Sequence, residues 1–207
     1  MRIASDVGGT FTDLVYLDTD ERRRFAQVSH EYLIEQVQEQ ALTGLANGAE
    51  LNFNHPVKEL IWTLRNESNG TTAGRCQSFG AAECYFTASP VSIDTFGGNW
   101  KLVLNGHDRF KERDSKYFTR TQVWEHHTGY GGVTIADSIA VYSFALKPEE
   151  HQPSGTCNFS RIDNARLQLK HKTSHATNAT TSTLHLFAVN YNVLRVMSGM
   201  AGLAYSN

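Results

Sequence analysis

The sequence has little cysteine, and the few thiols show no functional spacing. The three residues are an odd number and include no C-x-x-C pair; they are Cys76, Cys84 and Cys157. This pattern supports neither a zinc site nor a disulfide framework. The N-terminal segment also lacks the apolar run of a secretory signal. We therefore expect reduced thiols in a protein made in the cytosol.

The sequence also lacks an excess of charge of one sign and any long apolar run. Nineteen basic and 21 acidic residues give a net charge of -2, so no basic stripe for nucleic acid is predicted. No segment approaches the roughly 18 apolar residues of a membrane helix, so we expect no membrane insertion. What is present, 40% hydrophobic and 11% aromatic residues in a chain of 207, suffices for one packed domain.

The first 40 residues predict a strand followed by a helix. Residues 12–18 alternate as in a strand, and Asp18 with Glu21 has the spacing of a capping pair. Apolar residues then recur at helical spacing, namely Phe25, Val28, Tyr32, Leu33 and Val37. The pattern predicts a surface helix that flanks a sheet.

From residue 58 onward the pattern is typical of strands. Lys58–Leu64 predicts a strand buried on both faces, and Asn105-Gly106 predicts a tight turn. Further strands are predicted at Trp100–Leu104, Ile139–Leu146, Ala165–Leu169 and Leu184–Val193. The last of these shows a register shift near Ala188, as in a bulge. Arg109–Gln122 fits a short helix or an ordered loop equally well.

The number and length of these elements predict an all-β fold. Seven to nine strand candidates and one clear helix fit an eight-stranded jelly-roll β-sandwich with one or two short helices in its connections.

The polar residues do not form a catalytic or metal-binding pattern. His126-His127 is the best pair among nine histidines, but adjacent strand residues point to opposite faces and cannot easily share one ion. No G-x-S-x-G elbow supports a nucleophile. Glu149-Glu150 follows a proline and is typical of an exposed acidic loop. We therefore expect no catalytic residue, no metal and no cofactor.

A competing motif lies at the N-terminus. Asp6-Val7-Gly8-Gly9-Thr10-Phe11-Thr12-Asp13 resembles the first phosphate loop of hydantoinase and oxoprolinase enzymes. Two glycines would let the backbone approach a phosphate, and the threonines would supply hydroxyls. Such a loop needs a second nucleotide-binding half, and no alternating αβ pattern follows. An ATP-dependent enzyme fragment carrying this loop is the alternative function.

Longer segments carry a different resemblance. YLDTDERRRFAQVSHEYLIEQVQ, NFNHPVKELIW, LNGHDRFKERDSKYFTRTQ, YSFALKPEEHQPSGTCNFSRIDNA and AVNYNVLRVMSGMAGLAYSN occur in this order between residues 16 and 207. They resemble the C-terminal jelly-roll domain of the major capsid protein of nucleocytoplasmic large DNA viruses. The resemblance covers residues 15–207 and leaves residues 1–14 as a lead-in of uncertain origin.

The resemblance implies a structural role in a virion. Family members contain two jelly rolls in tandem, of which residues 15–207 would be the second. The complete protein would form homotrimeric capsomers that tile an icosahedral shell with minor capsid proteins, after synthesis in the host cytoplasm. A β-sandwich module that binds glycans or a receptor is a further possibility, because such folds host many functions.

Two charged loops within the matched segments are the candidate functional sites. We expect them to order the domain or its trimer contacts through ion pairs and backbone hydrogen bonds. The residues concerned are Arg109, Arg113, Asp114, Glu149, Glu150, Arg161 and Asp163.

Overall fold

The computed structural model describes residues 28–43, 48–66, 98–129, 139–170, 182–197 and 200–205. These ranges contain eleven strands: β1 (His30–Thr43), β2 (Ala49–Glu50), β3 (Pro56–Asn66), β4 (Asn99–Leu104), β5 (His107–Asp108), β6 (Arg113–Asp114), β7 (Ile139–Ser143), β8 (Cys157–Asn158), β9 (Ala165–Lys170), β10 (Ser182–Met197) and β11 (Met200–Leu203). A π-helical turn, Tyr117–Thr121, runs into the short helix α1, Gln122–His126, and a 3-10 turn spans Phe159–Arg161. The motif at 6–13 and the predicted strand at 12–18 lie outside the described residues.

The strands form two antiparallel sheets. The first has the order β1-β10-β3-β7, with β11 beside β10 and β8 beside β3. The second has the order β2-β9-β4-β5, with β6 beside β4. In both sheets strands distant in sequence are neighbours, because β3 pairs with β10 and β4 pairs with β9. The all-β class predicted from the sequence is confirmed.

Alternating side chains from both sheets meet in one apolar core. Strand β9 shows strict alternation of buried and exposed residues, as expected for a strand with one face against a core. Trp62 of β3 and Trp100 of β4 are both about 1% exposed, and their ring centres lie 5.6 Å apart. Phe118, from the π-helical turn, lies 5.2 Å from the Trp62 ring and is fully buried. These aromatic contacts join the two sheets and the helical connection.

The predicted strands occur where the sequence placed them. They correspond to β3, β4, β7, β9 and β10, and the Asn105-Gly106 turn is confirmed by positive φ angles of 49° and 80°. These angles suit the type I′ turn that Asn-Gly favours. The register shift also occurs, between Val189 and Asn190 of β10. The extra residue belongs to the partner strand, because Glu59 and Val57 are the successive partners and Lys58 is passed over.

The predicted helix across residues 25–37 was wrong for its described part. His30–Thr43 is a strand that pairs with β10. Four described residues of the supposed apolar stripe are exposed: Val28 (58%), Tyr32 (49%), Leu33 (39%) and Val37 (64%). Alternate glutamines instead satisfy backbone groups of the next segment. Gln40 accepts a hydrogen bond from the Asn52 N–H and donates to the Glu50 carbonyl, while Gln38 accepts from the Asn54 N–H.

The described residues divide into two compact units. The body is Glu35–Tyr191 and contains the whole apolar core cluster. The ribbon is the described part of the second unit, residues 28–34, 192–197 and 200–205, and consists of the start of β1, the end of β10 and β11. In the ribbon Arg195 forms an ion pair with Glu31 at 2.7 Å, and β11 pairs with β10 from Leu194↔Leu203 to Met197↔Met200.

Candidate functional site

The loop that follows β7 is ordered by hydrogen bonds centred on Ser154. The Ser154 hydroxyl accepts from the Lys147 N–H (2.9 Å) and donates to the Lys147 carbonyl (3.3 Å). Gly155 allows the closure: it has a φ of 142°, and a Cβ there would lie 2.9 Å from the Phe144 carbonyl oxygen. Glu150, one of the predicted site residues, pairs with the Lys147 ammonium at 2.9 Å. Local contacts within the loop therefore fix its shape.

Glu149, the neighbouring predicted residue, contacts a different element. Its carboxylate accepts a hydrogen bond from the Thr128 N–H at 3.1 Å and lies 3.2 Å from Nδ1 of His127. The Thr128 contacts are the main reason why the pKa of Glu149 is lowered, and His127 adds to the effect. Glu149 thus joins the loop after β7 to the end of α1.

The other ring nitrogen of His127 lies against a buried carboxylate. Nε2 of His127 is 3.1 Å from Oε2 of Glu59, a side chain of β3 that is 9% exposed. Burial raises the pKa of Glu59, and the nearby charges of His127 and Lys58 only partly offset that effect. His127 therefore lies between two carboxylates on different segments, an arrangement that no local pattern predicted.

Lys58, the bulge residue of β3, is also buried. Its ammonium lies 2.8 Å from the Glu35 carboxylate and 5.6 Å from the centre of the Tyr191 ring. A buried lysine is stable only when its charge has such partners. The adjacent pair Lys58-Glu59, directly before the apolar run Leu60-Ile61-Trp62, was the available sequence signal, since two charges in a buried strand must find buried partners.

The loop between β5 and the helical turn contains three of the predicted residues. The Arg109 N–H donates to the Leu102 carbonyl at 2.8 Å. Burial raises the pKa of Tyr142, and the nearby Arg109 guanidinium partly offsets that rise. The guanidinium of Arg113 lies 4.7 Å from the centre of the Tyr117 ring. The Asp114 carboxylate accepts from the Lys116 N–H at 3.0 Å. These contacts order the loop through aromatic and backbone partners.

The segment around the 3-10 turn contains the last two predicted residues. Asn105 accepts hydrogen bonds from the N–H groups of Asp163 (3.0 Å) and Asn164 (3.1 Å), which attaches this segment to the β4–β5 turn. Arg161 and Asp163 have exposed side chains, and within the described ranges neither makes an ion pair. His55 was missed by the sequence analysis: it has a φ of 68°, and its N–H donates to Ser160 Oγ. Its strained backbone is therefore fixed by the same segment.

Taken together, the seven predicted residues lie in three ordered segments. In the part of the chain that the structure describes, no ion pair joins two of the seven.

Gln122 was also missed by the sequence analysis, although it connects α1 to β7. Its amide oxygen accepts from the Ser143 N–H at 3.1 Å, and its amide nitrogen donates to the Tyr117 hydroxyl at 3.0 Å.

The described residues contain neither a cluster of possible metal ligands nor a helix that could span a membrane. Across their ranges no group of three histidine, cysteine or acidic side chains could hold an ion. Nδ1 of His126 lies 3.1 Å from the Leu146 carbonyl, so His126 and His127 have separate partners. None of the helices in these same ranges has the length and apolar character needed to cross a bilayer.

Comparison with known proteins identifies the family. The family model for the large eukaryotic DNA virus major capsid protein matches residues 21–202. The chain is 46% identical to the major capsid protein of Pyramimonas orientalis virus, over 98% of this chain and 50% of that protein. It is 41% identical to that of Paramecium bursaria Chlorella virus 1, over 95% of this chain and 53% of that protein. The chain thus spans about half the length of these relatives.

A solved structure extends the comparison to the fold. A subunit of a quasi-atomic model of the PBCV-1 virus capsid superposes with a TM-score of 0.69 and 38% identity, over 94% of this chain and 56% of that one. The two antiparallel sheets are therefore a jelly roll, as predicted. These matches support the capsid interpretation and give no support to the enzyme alternative suggested by Asp6–Asp13. This chain belongs to the family of large eukaryotic DNA virus major capsid proteins.

Proposed function

We propose that this chain is a structural domain of a viral capsid shell, which acts by packing and not by catalysis. The observation that carries the proposal is the family match across residues 21–202, which includes both sheets of the body. The ordered loops agree with it, because a shell subunit must present its surfaces in a fixed geometry to its neighbours. On this proposal the protein resides in the virion and is made in the host cytoplasm.

The proposed partners are other copies of the capsid protein. In the full-length context these would form homotrimers in an icosahedral shell, together with minor capsid proteins. The relatives' name, major capsid protein, and the match to a subunit of an assembled capsid support self-association. Nucleic acid is not a proposed partner, since the net charge is -2. Direct insertion into a membrane is likewise not proposed.

We also propose that residues 15–207 are the second half of a double jelly roll, with residues 1–14 as a lead-in. The support is that the chain aligns to about half of each relative, 50% and 53% of the two proteins compared.

A chimera tests the capsid proposal. The matching half of the Pyramimonas orientalis virus major capsid protein is replaced by this chain, and the mass of the purified product is measured by light scattering after size exclusion. We expect a discrete trimer, with capsomer-like particles in electron micrographs. The same chimera carrying Trp62→Ala is the control for a damaged core. A folded but monomeric chimera would contradict the proposal.

The seven charged loop residues remain a proposal about assembly and loop order. Because the Arg113 guanidinium lies over the Tyr117 ring, Arg113→Ala should lower the melting temperature. Arg161 is exposed and makes no ion pair among the described residues, so its side chain is available for a contact with another subunit. Arg161→Ala should weaken assembly of the chimera. Arg166→Ala is the matched control, because Arg166 is exposed on β9 and lies 4.0 Å from Glu50. Wild-type melting and oligomer size in both variants would refute this role.

A further inference from the structure

Strand β11 is an edge strand with unusual composition. Among the described strands it has one neighbour, β10, and all four of its residues are exposed. The sequence from Ser198 to Asn207 contains no charged residue and no proline. Soluble proteins normally protect sheet edges with charges, prolines or bulges, because an unprotected edge pairs with other strands. This edge has none of those protections.

The register shows which backbone groups face outward. The Ala204 N–H donates to the Val193 carbonyl at 2.8 Å, and these two residues are directly opposite in the register of β10 and β11. Hydrogen-bonded and non-hydrogen-bonded pairs alternate along an antiparallel ladder. Gly202 therefore bonds to β10, whereas the N–H and C=O groups of Ala201 and Leu203 point away from it.

We propose that the β11 edge pairs antiparallel with the β11 edge of a second copy of this chain, about a two-fold axis at Gly202. Ala201 of each copy then faces Leu203 of the other, and their outward N–H and C=O groups form up to about four backbone hydrogen bonds. The inference rests on the proposed capsid function, which requires self-association.

The side chains near the axis fit an identical partner. The two Gly202 residues face each other at a non-hydrogen-bonded position, where strands come closest, about 4.5 Å between Cα atoms. A Cβ built on Gly202 has no atom within 4 Å, so this position is open. One face continues as an apolar row through Leu194, Leu203 and the second copy's Ala201. Since Arg195, opposite Gly202 on the other face, is paired with Glu31, pairing brings no uncompensated charges together.

Charge variants on the edge test this register. Self-association of the chain is measured by sedimentation velocity over a range of concentrations. We expect Ala201→Lys and Leu203→Glu each to weaken association at least tenfold, because each places a charge opposite an apolar residue. An equimolar mixture of the two variants should recover association, since the introduced charges then face each other. Gly129→Lys is the matched control, at another open glycine of the described chain, and should associate like the wild type.

A backbone variant separates edge pairing from folding. Ala201→Pro removes an outward N–H that β10 does not use, so the melting temperature should stay close to that of the wild type while association is lost. A wild-type chain that stays monomeric at all concentrations would overturn the proposal. So would edge variants that associate like the wild type, or a mixture that recovers nothing. The trimer of the chimera is a separate test. If the chimera is trimeric but the chain alone stays monomeric, only the edge contact is contradicted. If the chain associates through β11 but the chimera is monomeric, only the capsid function is contradicted.

Discussion

The body and the ribbon are both built from antiparallel strands, but they place their apolar side chains differently. In the described part of the body, eighteen buried residues from both sheets and the helical connection form one core cluster. Among the residues that the structure describes, eleven large hydrophobic side chains are exposed, and seven of them belong to the ribbon, which is much the smaller unit; they are Val28, Tyr32, Leu33, Met197, Met200, Leu203 and Tyr205. Where a second sheet covers the apolar face of an alternating strand, the apolar side chains form a core. Where nothing covers that face, the same alternation leaves apolar side chains exposed.

The largest expected difference in the free energy of unfolding is between a substitution in the core and one in the ribbon. Trp62→Ala should lower the free energy of unfolding by about 3–5 kcal/mol, because it removes a buried ring that contacts Trp100 and Phe118. Leu203→Ala, at a residue 46% exposed, should cost less than about 1 kcal/mol. Urea denaturation measures both. Similar losses of unfolding free energy in the two variants would contradict the proposed difference between the body and the ribbon.

A smaller difference is expected between the ion pairs of the two units. Lys58→Ala leaves the Glu35 carboxylate without its ammonium partner, and we expect a loss of about 3 kcal/mol, at the low end for a broken buried pair. Arg195→Ala removes a pair whose side chains are 54% and 52% exposed, and should cost about 0.5 kcal/mol. Thermal unfolding at low and high salt checks the assignment, since salt should reduce only the second effect. Equal losses would contradict it.

The smallest expected effects concern two carboxylates of the body, Glu59 and Glu149, and the dependence of stability on pH. The raised pKa of Glu59 means that its contribution to stability is fully present below the unfolded-state value near 4.5 and is lost as the pH rises through the folded value. The lowered pKa of Glu149 has the opposite sign: its contribution is present above 4.5 and is lost as the pH falls through the folded value.

Two matched substitutions read out these signs. Relative to the wild type, Glu59→Gln should gain stability as the pH rises above 4.5, because the wild type loses the Glu59 contribution there. Glu149→Gln should be less stable than the wild type above pH 4.5, and this deficit should shrink as the pH falls below 4.5. Urea unfolding at several pH values measures both differences. Parallel slopes for the two variants would show that burial does not dominate at Glu59.

Much of the β structure could be predicted because the local pattern and the tertiary environment agree. In β4 and β9 alternate residues are apolar and one face of the strand meets the core. The alternation of apolar residues in the sequence therefore matches the alternation of buried side chains in the structure. The Asn105-Gly106 turn was predictable for a local reason, since both residues tolerate positive φ. The bulge was placed within two residues, although the sequence could not show that Lys58 on β3 was the extra residue.

The candidate site was predictable only in part. Charged loop residues were recognised as such, but their partners were not, because those partners are far away in the sequence. Glu149 meets His127 and Thr128, and Asp163 is held by Asn105. The buried pair of Lys58 and Glu35 likewise depends on which strands the sheet brings together.

The all-β class, the positions of the central strands and the family could all be inferred from the amino-acid sequence, because they follow from side-chain alternation and from long ordered matches. That residues 30–43 form a strand depends instead on long-range pairing. Their apolar spacing fits a helix, but as a strand they pair with β10, and Gln38 and Gln40 satisfy backbone groups of residues 50–54. The pairing of distant strands also decided which charges are buried and which of the described strands, β11 among them, lie at a sheet edge. Both depend on strand neighbours, which a local pattern does not specify.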